Sequence, residues 1–149
     1  MNKVKLFTIT TLALALFGLM VAPRPAAADA GPAPVYLTFD KTQVDPAGIW
    51  EGSVGGDLSG GLTTVLTGLE INGPIWHVAF DWIIDTGDEY SFTAKMTGIL
   101  NTNTGKVVMN GVVSDGWLEG AQVHEEGQLT NPATGQFQGT IRIMPPSAG

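Results

Sequence analysis

The chain has 149 residues, 20 of them glycine, no cysteine, and a formal net charge of -7. Without cysteine there is no disulfide, no thiolate metal site and no lipid-anchored N-terminal Cys, so packing and backbone pairing must hold the domain together. The acidic balance repels phosphate backbones and anionic headgroups, which argues against nucleic-acid and membrane-surface roles.

The first thirty residues, "MNKVKLFTITTLALALFGLMVAPRPAAADA", have the three parts of a secretory signal. Lys3 and Lys5 give the positive start, residues 6–21 the apolar run, and "AAADA" the small-residue cleavage region. The run is sixteen residues long, short of the roughly 20 that a spanning helix needs. The pattern predicts a signal peptide over 1–30, cleaved after Ala28 or Ala30, and a secreted or periplasmic protein with no membrane role afterwards. The remainder would carry four basic residues (Lys41, Lys95, Lys106, Arg142) against thirteen acidic ones, a net charge of -9. Its length suits one modest domain with a real core.

Next comes "GPAPVYLTFDKTQVDPAG", whose Pro32, Pro34 and Pro46 predict an extended lead-in with a first short strand over 31–47. The barrel or sandwich proper is expected over 48–144, with a flexible tail at 145–149. Turn signals recur at "GGDLSGG", "NGP", "DTGDE", "NTNTG", "SDG" and "NPATG". The segments between them are rich in Val, Ile, Thr, Phe and Trp, which predicts consecutive antiparallel strands, eight in all. In "IWHVAFDWII" Trp76, Val78, Phe80, Trp82 and Ile84 share one face, and His77 and Asp81 lie on the other. In "YSFTAKMTGIL" Tyr90, Phe92, Ala94 and Met96 oppose Ser91, Thr93, Lys95 and Thr97. The glycine-rich "GSVGGDLSGG" has no Lys-Ser or Lys-Thr ending and no helix after it, so its glycines are read as bends rather than a phosphate loop.

"GILNTNTGKVVMNG" and "GQLTNPATGQFQG" echo each other: Gly-x-Leu, a Thr-Gly turn, an apolar centre and a closing Gly. Two copies indicate two similar hairpins, not a repeat array. The expected fold is therefore all-β, a single antiparallel eight-stranded meander barrel, since closure protects every edge; a two-sheet sandwich is the alternative.

The segments "GSVGGDLSGGLTTVLTG", "MTGILNTNTGKVVMNGVV" and "LTNPATGQFQGTIRI" together resemble the allene oxide cyclase and dirigent type of eight-stranded barrel, over about the last 95 residues. The resemblance implies a small barrel, often associated into homo-oligomers, whose apolar cavity binds a small hydrophobic molecule and sometimes guides its cyclisation or coupling. It transfers no catalytic residue to a numbered position here.

Candidate chemistry is sparse. His124 and Glu126, two apart on one strand face at roughly 7 Å, could chelate an ion with His77 from another strand, although solvated polar residues are the plainer reading. Ser53, Ser59, Ser91 and Ser114 have no nucleophile-elbow context. In "WLEGAQVHEEGQLT" Trp117, Glu119, Ala121, Val123, Glu125, Gly127 and Leu129 share the apolar parity, and His124 and Glu126 the polar one. An inward Glu125 should pair with Arg142 or Lys95, hydrogen-bond inside, or stay protonated. A bulge at Gly120 or Gly127 would reverse the parity. Glu125 and Asp81 are thus the acid/base candidates, and Trp76, Phe80, Trp82, Tyr90, Phe92, Trp117 and Glu119 the candidate ligand-binding residues.

Three functions follow as expectations. The first is interior binding of a small apolar molecule without a cofactor. The second is a cofactor-independent cyclase or isomerase using the inward carboxylate. The third is a structural protein with a filled core.

Overall fold

Alternating apolar residues and regular turns build a closed barrel of eight antiparallel strands in simple meander order. The computed structural model describes residues 31–147; the expected signal at 1–30 and residues 148–149 of the tail lie outside the described residues. The strands are β1 (Val35–Asp45), β2 (Ile49–Gly56), β3 (Gly60–Asn72), β4 (Ile75–Asp85), β5 (Phe92–Asn101), β6 (Lys106–Gly116), β7 (Gln122–Asn131) and β8 (Gln136–Met144).

The segment expected as a lead-in with a first short strand carries a full stave. β1 runs for eleven residues and closes the barrel by pairing with β8 from Val35↔Ile143 to Lys41↔Phe137. Pro32, Pro34 and Pro46 lie outside β1 or just beyond its end, where a missing N–H costs no ladder bond.

An eight-stranded barrel has an interior that side chains just fill. Glycines at inward positions let the staves coil tightly enough to close. At Gly111 a Cβ would lie 1.9 Å from the Lys95 carbonyl oxygen, and at Gly98 2.0 Å from that of Val108. The neighbouring backbone occupies the space a side chain would need. A bulge between Leu66 and Gly68 on β3 shifts the register, so that Leu66 still faces Phe80 while Leu69 faces Val78 and Ile71 faces Trp76.

The echoed hairpins are β5–β6 and β7–β8. Each turn is built the same way: the Oδ1 of Asn101 or Asn131 accepts from the backbone N–H two residues on, at 3.0 and 3.1 Å. Each then places a glycine, Gly105 or Gly135, in the left-handed region at φ 74° and 65°.

The two ends of the barrel differ. At the end bearing the β2–β3, β4–β5 and β6–β7 connections, Leu37, Val54, Leu62, Ile84, Phe92, Val113, Ala121 and Ile143 are all buried. Trp117 and Leu118 from the β6–β7 turn pack against that layer. Leu118 takes φ 59°, an uncommon conformation for a branched side chain. The opposite end, with the β1–β2, β3–β4, β5–β6 and β7–β8 turns, is less filled, and it is there that the interior opens.

Candidate functional site

β1 alternates Val35, Leu37, Phe39 and Lys41 on the inward parity, so the strand that closes the barrel carries a lysine into its lumen. Lys41 is 4% exposed. Its partner on β2 is Gly52, which puts no side chain beside it at that level. The Nζ donates to Thr64 Oγ1 on β3 at 3.4 Å. It lies 4.0 Å from the Trp82 ring centroid, 5.2 Å from Phe80, 5.5 Å from Phe39 and 6.0 Å from Phe137. These negative ring faces favour the cationic form and replace part of the lost hydration.

β7 supplies the counter-group. Val123, Glu125 and Gly127 alternate inward, and Glu125 is fully buried opposite Met109 and Ile141. Gly127 makes room for it, since a Cβ there would lie 3.3 Å from Glu125 Oε1. Among the described residues neither carboxyl oxygen has a hydrogen-bond partner. Among the described residues the one ion pair within 4.0 Å is His124–Glu126 on the surface, so Lys41 and Glu125 attract each other across a gap without direct contact.

Burial pushes the Glu125 carboxyl up to about 7, against the pull of Lys41. Burial likewise pushes the Lys41 ammonium down to about 8, with Glu125 opposing. Each group loses hydration that the other only partly replaces.

Both groups border a cavity of about 80 Å³ whose remaining lining is apolar: Trp50, Leu66, Leu69, Trp76, Val78, Phe80, Leu100, Val107, Met109 and Phe137. Leu69 is 47% exposed, so the cavity reaches the surface at its rim. Trp50 is fixed there by its indole N–H donating to the Gly135 carbonyl at 3.0 Å, and its ring meets Phe80 edge-on at 5.3 Å. The site is an apolar funnel with one amine and one carboxyl at its floor.

The expected site residues divide accordingly. Glu125 is inward as the β7 parity requires, and Trp76 and Phe80 line the cavity. Trp82 lies beneath Lys41, 2% exposed and with its indole N–H unpaired. Phe92 is buried in the closed end, away from the cavity. Tyr90 is in a turn, 40% exposed and edge-on to Trp117 at 5.3 Å, so neither of these two lines the cavity. Glu119 is exposed because residues 117–120 form a turn, and strand parity does not extend back through it.

Asp81 is on the outward parity of β4, opposite Val65 and Lys95, and outside the lumen. Arg142 and Lys95, the expected partners of Glu125, are also exposed on the outer face, so Lys41 holds that role at a distance. His77 stands outside on β4 opposite Glu70 and Ile99, three strands from β7, and cannot meet His124 and Glu126 at one ion. His124 bonds to Asn110 Oδ1 at 2.7 Å and to Glu126 at 3.3 Å across the exposed face.

The floor lysine and its hydrogen-bond partner Thr64 are not among the residues the sequence singles out. Lys41 is in phase with Val35, Leu37 and Phe39, and Thr64 with Leu62 and Leu66; a polar residue on an apolar parity was the available signal. Comparison with protein families, curated proteins and solved structures finds no match to this chain.

Proposed function

We propose that this protein is an exported barrel that binds a small apolar molecule bearing one polar group, apolar body in the funnel and polar end at the floor. The observation that supports this most is the Glu125 carboxyl, fully buried, unpartnered and bordering an otherwise apolar cavity with Lys41. A barrel selected for stability alone gains from a hydrophobic pair at such positions. Retaining both ionisable groups is the mark of a floor that orients something.

The size of the cavity narrows the class. About 80 Å³ is well below the roughly 300–1,000 Å³ of drug-sized pockets. The ligand is therefore a short chain or a single small ring. A hydroxyl or carbonyl oxygen suits a floor where Lys41 donates and Glu125 accepts or, protonated, donates. Kinship with the allene oxide cyclase and dirigent barrels belongs to the same proposal, supported by the closed eight-stranded architecture. Secretion or transfer to the periplasm rests on the leader pattern at 1–30.

Titration with straight-chain and cyclic alcohols tests this reading, because Trp50 and Trp76 line the cavity and report on it by fluorescence. Saturable change is expected with short members, weakening about tenfold in Glu125→Gln through loss of one charge-assisted hydrogen bond. No saturable response to any member would leave a filled scaffold.

One observation favours an enzyme on the same floor. A carboxyl pushed up to about 7 is suited to general acid or base work at neutral pH. Under this reading a supplied polyene or epoxide is converted, conversion is lost in Glu125→Gln, and it persists in His124→Ala.

A further inference from the structure

We propose that Lys41 is a carbonyl-trapping nucleophile, forming a Schiff base with a small aldehyde or ketone that enters the funnel, with Glu125 moving the protons. The inference deepens the interior-binding reading and rests on it.

Its basis is the placement of the amine. Lys95 and Lys106 are exposed, whereas the Lys41 amine is buried beside the cavity and donates to Thr64 at 3.4 Å, its single hydrogen bond among the described residues. Among the described residues no carboxylate lies within 4.0 Å of it to lock the amine into an ion pair. A desolvated lysine in an apolar pocket is the kind that supplies a neutral amine near neutral pH. The pull of burial on both groups acts in the same sense, towards neutral amine and neutral acid. The Glu125 carboxyl borders the same cavity without a hydrogen-bond partner among the described residues, and is thus available to shuttle protons.

The steps balance without an oxidant or cofactor. The Nζ lone pair adds to the carbonyl carbon while the C=O π pair moves to oxygen, and proton transfer from nitrogen to oxygen gives a carbinolamine. The nitrogen lone pair then forms C=N as the C–O bond breaks, and the departing hydroxyl takes the Glu125 carboxylic proton to leave as water. The products are an iminium on Lys41, a Glu125 carboxylate and one water. The aromatic rings around Nζ, with Trp82 nearest at 4.0 Å, face the iminium as they faced the ammonium. The new carboxylate is its counter-charge. The floor is thus complementary to the product of condensation.

The cavity limits the partner to a short or compact carbonyl compound. Incubation of the purified protein with butanal and sodium borohydride, followed by peptide mapping, tests the proposal. Reductive alkylation is expected at Lys41 ahead of Lys95 and Lys106. In Glu125→Gln the rate at Lys41 should fall about a hundredfold, with the surface lysines unchanged. Lys41→Met should lose the fast adduct while Lys95 and Lys106 are modified at the rate seen in the unaltered chain. If that variant fails to fold, site mapping on the unaltered chain and Glu125→Gln decide the matter. Equal modification of Lys41, Lys95 and Lys106, or none at Lys41, overturns the proposal. If 1-butanol binds to the unaltered chain but butanal is not trapped at Lys41, only the Schiff-base inference falls; if neither occurs, the binding reading falls with it.

Discussion

The two ends of this barrel are built from the same eight staves, yet one is packed and the other hollow. At the closed end Ile84, Phe92 and Val113 are almost wholly buried and the β6–β7 turn lays Trp117 and Leu118 over them. At the open end Leu66, Trp76 and Leu100 are only partly buried around the cavity, and two ionisable groups sit on its floor. The closed end therefore holds the fold, and the open end, where we propose the binding site, is the less stably packed of the two.

Truncations should show this most strongly. Phe92→Ala at the closed end should cost about 3 to 5 kcal/mol, because its neighbours are fixed in a dense layer. Leu66→Ala, in a partly exposed wall beside an existing cavity, should cost no more than about 2 kcal/mol. Denaturant midpoints of the two variants at equal m-value provide the measurement. Equal costs would dissolve the distinction between the ends.

The next effect has the opposite sign. Replacing both floor groups, as Lys41→Met with Glu125→Leu, should stabilise the barrel by about 1 to 4 kcal/mol, since neither group is well compensated. The same variant should lose alcohol-induced fluorescence change. A double variant less stable than the parent would show the pair to be a structural bond.

How much of this was legible in the sequence follows from the same division. Alternation in Trp76–Val78–Phe80–Trp82–Ile84 and the two Asn-initiated turns are local signals, and eight strands with the Glu125 parity followed from them. Lys41 was hidden because the flanking prolines made its segment read as a lead-in, while its strand identity comes from closure against β8, almost a hundred residues away. Strand parity fails for Trp117 and Glu119 because Leu118 takes a left-handed turn conformation that leucine rarely adopts, so the residue type at that position does not mark the turn. The partners that the sequence offers to Glu125, namely Lys95 and Arg142, lie on the outer face, and Lys41 comes to its side of the lumen only through closure of β1 on β8.

Smaller than the charge replacement, but more specific, is the pH profile. Glu125 is raised to about 7, so the folded state holds more protons than the unfolded chain from the ordinary glutamate range up to about pH 7, and stability falls as pH rises through that window. Lys41 is lowered to about 8, so above about pH 8 the unfolded chain holds more protons and stability rises again towards the ordinary lysine range. The pair therefore contributes a minimum between about pH 7 and pH 8, where most proteins are near their best. Relative to the double variant, the parent should gain about 2 kcal/mol on going from about pH 7.5 to pH 5. A flat difference would remove the desolvation account. Thr64→Val, which deletes only the 3.4 Å hydrogen bond to Nζ, should cost about 1 kcal/mol or less and lower the Lys41 pKa further. Lys41 titration by NMR in that variant is the check.

The smallest expected effect lies one residue from the largest functional one. His124 and Glu125 are consecutive on β7, and strand alternation sends the first to solvent and the second to the floor. His124 draws attention by its neighbours Asn110 and Glu126, but its ion pair joins a side chain 33% exposed to one 59% exposed, where water already solvates both. Such pairs contribute little beyond the noise of surface substitutions. His124→Ala should shift stability by less than about 0.5 kcal/mol and leave both alcohol uptake and Lys41 trapping unchanged. A large loss of either would mean that the outer face of β7 communicates with the lumen, a coupling that the rigid alternation of a closed barrel gives no route to transmit.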